Sequence, residues 1–363
     1  MLLQGTRVLA CENGLAGPLC SRLLADLGAD VVKLERPRGG DVTRGWDTVA
    51  GGLSSGFVWM NRGKRSVALD VKDPASRPAL EALVASSDVF LQNFTPGWAE
   101  GVGLDEPSVR ALRRDIVYTE ITGYGASGPY AARNAYDLVM QGEAGLASIT
   151  GSPEQPARVG VSISDLGAGS YAAVATCAAL VRRERTGEGA HVSVSLFDTM
   201  VDWLGYFPHL WWHRRELPAR AGLRHPHFCP YGAYPAEDGK LFMLAVLSEE
   251  RYATNEGRVA ARDELEPRLE ELLRSRPAAT WLERLVGAGV PCGAVNDVRA
   301  VMEHPQLHHN ALLADIGSPV GPLPTVGNPF LVWGERLAVG AVPGLGEHTR
   351  EVLGEVDVDG TAT

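Results

Sequence analysis

Short apolar runs alternate with amphipathic stretches over the first third of this chain, and that alternation constrains its fold more than any other feature. Residues 6–10 read as a short buried strand, followed by Glu12-Asn13-Gly14-Leu15-Ala16-Gly17-Pro18. Pro18 suits a first helical turn, Leu19, Leu23, Leu24 and Leu27 share one helical face, and Gly28 suits the stop. Residues 31–35 form the next strand and complete a βαβ unit. Strands at 66–69, 88–92 and 116–121 continue the pattern. Asp73-Pro74 opens a helix with Leu80, Leu83 and Val84 on one face, and a short helix spans about 106–113. This spacing predicts an α/β fold built on a Rossmann-like parallel sheet, with ligands at the C-terminal ends of the strands. The first turn offers Gly14 and Gly17 but no Gly-x-Gly-x-x-Gly. The dinucleotide-binding fingerprint is therefore absent, and a nicotinamide-dependent oxidoreductase would rest on topology alone.

Further along, in Ser162-Ile163-Ser164-Asp165-Leu166-Gly167-Ala168-Gly169, a β-type alternation stops at Asp165 and a Gly/Ala-rich helix begins. The carboxylate is thus expected at a helix N-terminus, where free N–H groups and the dipole favour its ionised form. From these residues alone Asp165 reads as a helix cap. Arg182, Arg183 and Arg185 suit the far end of that helix, and residues 191–196 alternate as a half-exposed strand. Residues 197–212, rich in large apolar and aromatic side chains, serve either the core or an oligomer contact. The character changes near Pro218. We expect a large domain over 1–200, completed by about 310–363, and a smaller α+β domain over 220–300, with linkers at 201–219 and 301–310. In the small domain an Asp238-Gly239 turn precedes a strand at 241–246, and 262–274 and 278–285 read as helices. A polar helix follows Gly346.

Composition removes several classes of function. A net charge of −10 argues against a nucleic-acid surface. Between Lys33 and Lys72, however, eight basic residues stand against four acidic ones, a local excess suited either to a phosphorylated small molecule or to a solvated mixed surface. Five scattered cysteines without Cys-x-x-Cys, and nine histidines without His-Glu-x-x-His, give no disulfide framework and no metal site. No apolar run is seen to approach the about 20 residues that cross a bilayer, and no signal peptide is read at the N-terminus, so no membrane association and a cytoplasmic location are expected.

Several stretches, in shared order and spacing, then match one family. They include Ala16-Gly17-Pro18, residues 24–35, Gly39-Gly40-Asp41-Val42-Thr43-Arg44, Asn61-Arg62-Gly63-Lys64-Arg65-Ser66, Asn93-Phe94-Thr95-Pro96-Gly97, Tyr136-Asp137, Asp165 and Arg185-Thr186-Gly187-Glu188-Gly189. Over nearly its whole length the chain resembles the class III, formyl-CoA transferase-like, CoA-transferases. The resemblance implies that Asp165 is a nucleophile forming an aspartyl-CoA thioester, with Tyr136 and Asp137 as further catalytic residues. It implies contacts to CoA from Asn13, Leu15 and Ala16 in the first turn, from Arg36 at the phosphates, and from Leu69 and Lys72 along the adenine. Asn93 and Phe94 would flank the nucleotide or pantetheine, and Asn134 would complete the set. It also implies acyl-CoA and a small carboxylic acid as substrates, no tightly bound cofactor, and an interlocked homodimer.

The chain departs from the family pattern in several places. Leu15 stands where many relatives carry Gln, Gly101 where a basic residue follows the Asn-Phe-x-Pro-Gly stretch, and Asn134 where some have Lys. In place of the glycine-rich covering loop is Arg224-His225-Pro226-His227-Phe228-Cys229-Pro230-Tyr231, which looks like members acting on branched or dicarboxylic acyl groups. The strand at 241–246 runs almost directly into residues 250–256, where relatives have a further helix. Other functions fit the same resemblance. An α-methylacyl-CoA racemase would need a His where Tyr136 precedes Asp137, and a phenol of pKa near about 10 is poorly matched to proton abstraction near neutrality. The same mismatch weighs against hydratase and lyase chemistry. A CoA-binding homologue without activity is the remaining alternative.

Overall fold

The computed structural model describes residues 1–245 and 254–356. Val246, at the end of the strand expected over 241–246, and residues 250–253 of the segment after it lie outside the described residues. The chain divides into two compact units, one of residues 1–144, 160–203 and 310–363, the other of residues 145–159 and 204–309.

The first unit is built on a six-stranded parallel sheet. Its strands are β1 (Arg7–Cys11), β2 (Asp30–Glu35), β3 (Lys64–Ala68), β4 (Val89–Gln92), β5 (Val117–Thr122) and β6 (Ala190–Ser195), in spatial order β3-β2-β1-β4-β5-β6. Central strands of such a sheet are covered on both faces and so carry unbroken apolar runs. Leu9 sits in register between Val32 and Phe90, and all three are fully buried. Helix α1 (Ala16–Asp26) follows the first strand as its leucine spacing predicted. Helix α2 (Arg77–Ala85) lays Leu80, Leu83 and Val84 into the cluster with Leu9, Val32 and Phe90. Each such side chain contributes about 1.5–3 kcal/mol of hydrophobic stabilisation. After β5 come α3 (Asp137–Glu143), α4 (Ile163–Thr186) and α5 (Leu196–Trp203). The chain's last described segment returns to this unit. After α6 (Arg262–Leu273) and α7 (Ala278–Gly287) of the second unit, its helix α8 (Thr349–Gly354) buries Val352 and Leu353 in the same cluster.

Helix α4 corrects one expectation. At 24 residues it is long and apolar enough by composition to cross a bilayer. Its apolarity has another explanation in this fold, because Gly167, Ala168, Ala172, Ala173 and Thr176 are buried where it packs on α1, β5 and α5, Gly167 against Thr199 and Trp203 of α5. Gly169 sets the spacing: a Cβ there would lie 2.5 Å from the Ala16 carbonyl oxygen. The helix ends at Gly187, in the left-handed region at φ 71°, with its N–H on the Arg183 carbonyl (2.7 Å).

The second unit carries a three-stranded antiparallel sheet of β7 (Tyr231–Pro235), β8 (Leu241–Ala245) and β9 (Cys292–Ala294). One face presents Tyr234, Phe242 and Leu244 to Leu273 of α6 (Arg262–Leu273) and Trp281 of α7 (Ala278–Gly287). The Trp281 indole N–H finds the Leu273 carbonyl at 2.7 Å, which satisfies the one polar atom of a buried ring.

Candidate active site

In an open parallel sheet, ligands enter where the strand order reverses. Here that point lies between β1 and β4, and a reciprocal pair ties the two loops together. The Asn13 N–H donates to Asn93 Oδ1 and Asn93 Nδ2 donates to the Asn13 carbonyl, each at 2.9 Å. A Cβ at Gly17 would lie 2.7 Å from Asn93 Cγ, so glycine is what lets α1 begin this close.

Two cavities open beside this clasp. On the β2 side, one of about 630 Å³ is lined by Asn13, Arg36, Arg38, Leu69, Lys72, Phe94 and Trp98 among others. On the β5 side, one of about 100 Å³ is lined by Ala16, Asn93, Phe94, Thr122, Gly123, Arg133 and Asp165 among others. Phe94 borders both, its ring stacked on Trp98 at 4.0 Å. The larger volume is that of a ligand pocket, whereas the smaller holds only a few heavy atoms.

The basic excess read from the sequence resolves into two groups. Five of the eight residues pair with carboxylates in the structure. Lys33 pairs with Glu12 and Asp41, Lys64 with Glu12, Arg44 with Glu35, Arg62 with Asp26, and Arg65 with Asp30. Only Arg36, Arg38 and Lys72 remain on the wall of the larger cavity, all three exposed. Arg36 is held by hydrogen bonds to the Gly40 carbonyl at 3.3 and 3.1 Å.

Beneath them Glu12 Oε1 accepts from Lys64 Nζ (2.7 Å), Lys33 Nζ (3.3 Å) and Ser21 Oγ (2.8 Å), with all charged partners fully buried. Burial works against the charge on Lys33, but Glu12 and Asp41 outweigh it and hold its pKa above the ordinary value. For Lys64 burial wins, bringing it down to about 8. Asp41 Oδ1 accepts from the Gly14 (3.3 Å) and Thr43 (2.8 Å) amides, which fixes the glycine-rich turn after β2 against the first loop.

Asp165 is the third residue of α4, not its cap. The cap position is Ser162, whose side chain makes no capping bond, and Ile163 and Ser164 are already helical rather than the end of a strand. The cap comes from elsewhere: Asp137, buried at the start of α3, accepts from the Ser164 N–H (2.9 Å) and Oγ (2.8 Å), while Gln141 Nε2 holds its other oxygen (2.8 Å). The Ile163 N–H goes to the Val161 carbonyl and the Leu166 N–H to the Ser162 carbonyl. Two of the amides that should have favoured an ionised Asp165, those of Ile163 and Ser164, are thus engaged. Burial first, and then the Asp137 charge, raise the Asp165 pKa from 3.8 to about 7. This reverses the direction expected from the sequence.

Of the residues expected at the site, Asn13, Ala16, Arg36, Leu69, Lys72, Asn93, Phe94 and Asp165 line the two cavities. Asp137 lies beneath, holding the α4 terminus. Leu15 precedes α1 and lines neither cavity, Asn134 is exposed and lines neither, and Tyr136 stands 77% exposed ahead of α3. Sequence reasoning held Arg38 only as one of eight basic residues suited to a phosphorylated ligand, and missed Trp98 and Arg133. Trp98, four residues after Phe94, stacks on it from the start of the next helix, a pairing that the loop between them hid.

The profile of CoA-transferase family III matches residues 3–349. The chain is 35% identical to a succinate–glutarate CoA-transferase of Agrobacterium fabrum, covering 99% of this chain and 97% of that one. It is 33% identical to the human succinyl-CoA:glutarate CoA-transferase, covering 98% and 86%. Among solved structures, a CaiB/BaiF family protein from Brucella suis superposes with a TM-score of 0.86 at 35% identity, over 98% of this chain and 99% of that one. The match spans both units and both cavities, and the chain belongs to CoA-transferase family III.

Proposed function

We propose that this enzyme moves CoA from an acyl-CoA donor to a small carboxylic acid, dicarboxylic or branched, through a thioester on Asp165. The observation that carries the reading is the shared Phe94 wall. It puts a single carboxylate in a small cavity adjoining a larger one whose exposed cations suit the phosphates of CoA.

The chemistry balances without water or an external proton. An Asp165 oxygen attacks the acyl-CoA carbonyl, the C–S bond breaks, and an acyl-aspartyl anhydride and CoA thiolate result. The thiolate attacks the aspartyl carbonyl, forming aspartyl-CoA and releasing the donor carboxylate. The acceptor carboxylate then attacks aspartyl-CoA, and the thiolate returns to the new acyl carbonyl, regenerating Asp165. Covalent division of the exchange replaces one difficult step by easier ones. A carboxyl of pKa about 7 is a better nucleophile once ionised and a poorer leaving group than an ordinary aspartate. The rate should therefore rise with pH through about 7 as the carboxylate forms. Arg36, Arg38 and Lys72 bind the nucleotide end, Phe94 and Trp98 wall the passage, and Asp137 positions α4.

Peptide mass spectrometry after incubation with succinyl-CoA and quenching with hydroxylamine or borohydride tests the proposal. The expected product is a hydroxamate or alcohol at Asp165, absent from Asp165→Ala. A modified peptide elsewhere, with exchange intact in Asp165→Ala, would remove the mechanism. Rapid wash-in of deuterium at the α-carbon without an acceptor acid would favour a racemase instead.

A further inference from the structure

The wall between the two cavities is held from two sides. Asn13 clasps Asn93 from the first loop, and the sheet itself supplies the other hold. Gln92 ends β4 and is buried, 5% exposed. Its Oε1 accepts the Phe94 N–H at 2.8 Å, and its Nε2 donates to Glu120 Oε2 at 3.3 Å. Glu120 stands directly opposite Gln92 on β5, and its other oxygen lies 3.1 Å from His191 Nε2 on β6. One row of polar contacts thus crosses three neighbouring strands and ends on the backbone of Phe94.

The period of two along a strand explains the row. Phe90 and Gln92 share one face of β4, Tyr118 and Glu120 the same face of β5, and His191 is level with Tyr118. Phe90 stacks on Tyr118 at 5.4 Å between centroids, and Tyr118 meets the His191 ring edge-on at 5.2 Å, so rings steady the imidazole that faces Glu120. The Tyr118 hydroxyl is engaged by the Leu104 carbonyl (3.1 Å). Glu120 and His191 open on a third cavity of about 290 Å³, which Phe94 also borders. The direction of the Gln92 amide follows from its neighbours. A carboxylate only accepts and a backbone N–H only donates, so the NH2 faces Glu120 and the oxygen faces Phe94. Turned around, the amide would lose both bonds. His191 lies against one oxygen of Glu120 and leaves the other to Gln92.

We propose that Gln92 is a positioning residue for CoA transfer. It sets the place of Phe94, the partition between the larger cavity and the Asp165 cavity, and Glu120, backed by His191, sets Gln92. That the place of Phe94 governs turnover rests on the transfer reaction proposed above; the row itself stands on contacts within the first unit alone.

Exchanging the two side chains tests the proposal, with succinyl-CoA and glutarate as the probe pair. Gln92→Glu sets two carboxylates face to face and should lower kcat about tenfold or more, since a misplacement of about 1 Å costs about a hundredfold. Glu120→Gln lets the Gln92 amide face either way and should cost about two- to fivefold. The double variant Gln92→Glu/Glu120→Gln again gives every donor an acceptor: the carboxylate takes the Phe94 N–H and the NH2 of the amide opposite, whose oxygen turns to His191. Its kcat should return to within about threefold of the parent. The KM for succinyl-CoA should stay within about threefold throughout, because Arg36, Arg38 and Lys72 are untouched. A double variant as slow as Gln92→Glu overturns the proposal, as does one that regains the parent's melting temperature but not its kcat. Deuterium uptake at the Phe94 amide reads the row without substrate and should be about tenfold faster or more in Gln92→Met. Uptake at the parent's rate also overturns it. A parent that neither turns over the probe pair nor forms the Asp165 adduct removes the transfer mechanism, and the Phe94 amide then decides the row. An adduct in the parent, with every variant at the parent's kcat, removes this inference alone.

Discussion

The two units use their charged side chains in opposite ways. In the first, Glu12, Lys33, Lys64 and Asp41 form a closed, fully buried set under the larger cavity. In the second, Arg224 and Arg262, about a fifth exposed, reach across to carboxylates and loop carbonyls and fix the segment that carries His225. The buried set sits where strand C-termini converge, so its removal leaves uncompensated charge in the core. The second set sits at a surface that water reaches, so its removal loosens a loop. The contrast teaches that charge density in a sequence does not by itself mark a ligand contact: five of the eight basic residues between Lys33 and Lys72 serve the scaffold.

The largest test of that contrast is Glu12→Gln. Two buried ammonium groups would then be left with Asp41 and, for Lys33, the more distant Glu35, and breaking a buried pair costs about 3–5 kcal/mol. Urea denaturation followed by far-UV circular dichroism reads the loss. It should shrink as pH rises, because Lys64, already at about 8, can discharge while the unfolded chain still carries the proton. A cost below about 1 kcal/mol at pH 7 would break the comparison. Next comes Arg262→Ala in the second unit, which strips three carbonyls of a charged donor. A loss of about 1.5–3 kcal/mol is expected, concentrated in faster hydrogen exchange of the backbone amides at 225–231. Arg262→Lys should recover only part of it, since an ammonium lacks the planar fork.

The sheet was legible because its rules are local. A buried parallel strand must be an apolar run, so residues 6–10, 31–35 and 88–92 declared β1, β2 and β4 within a residue or two. The clasp residues Asn13 and Asn93 were legible through the family pattern. What could not be read was set by contacts distant in sequence. Lys33 looks like a phosphate ligand until Glu12, 21 residues away, is seen against it. Asp165 looks like a cap until Asp137, before α4, takes the Ser164 amide. The same distance hid the sign of its pKa shift, because local reasoning saw a helix terminus and not the carboxylate beside it.

That reversal gives a smaller effect on stability. With the Asp165 pKa raised, the folded chain holds a proton that the unfolded chain releases, so this group lowers stability as pH climbs from about 4 to about 7 and adds nothing further above. Asp165→Asn should therefore be inactive yet more stable than the parent at pH 8. The gain is about 1–2 kcal/mol after allowance for partial solvent access, and it fades toward pH 4. Equal stabilities at pH 8 would mean the carboxylate is solvated much as in the unfolded chain.

The smallest effect separates the two roles of Asp137. Asp137→Asn keeps an oxygen able to accept from the Ser164 N–H and Oγ, so the α4 terminus stays in place, while the negative charge beside Asp165 is lost. Burial, the larger cause of the raised pKa, remains. The acid limb of the pH–rate profile should move to lower pH by less than about one unit, so that turnover at pH 6 rises relative to pH 8. Asp137→Leu removes the cap as well and should cost about 1 kcal/mol in stability with turnover reduced at every pH. An acid limb that stays fixed in Asp137→Asn would make Asp137 a cap and nothing more. The pKa of Asp165 would then be set by burial alone, and the first unit would tune this carboxyl by desolvation rather than by a neighbouring charge.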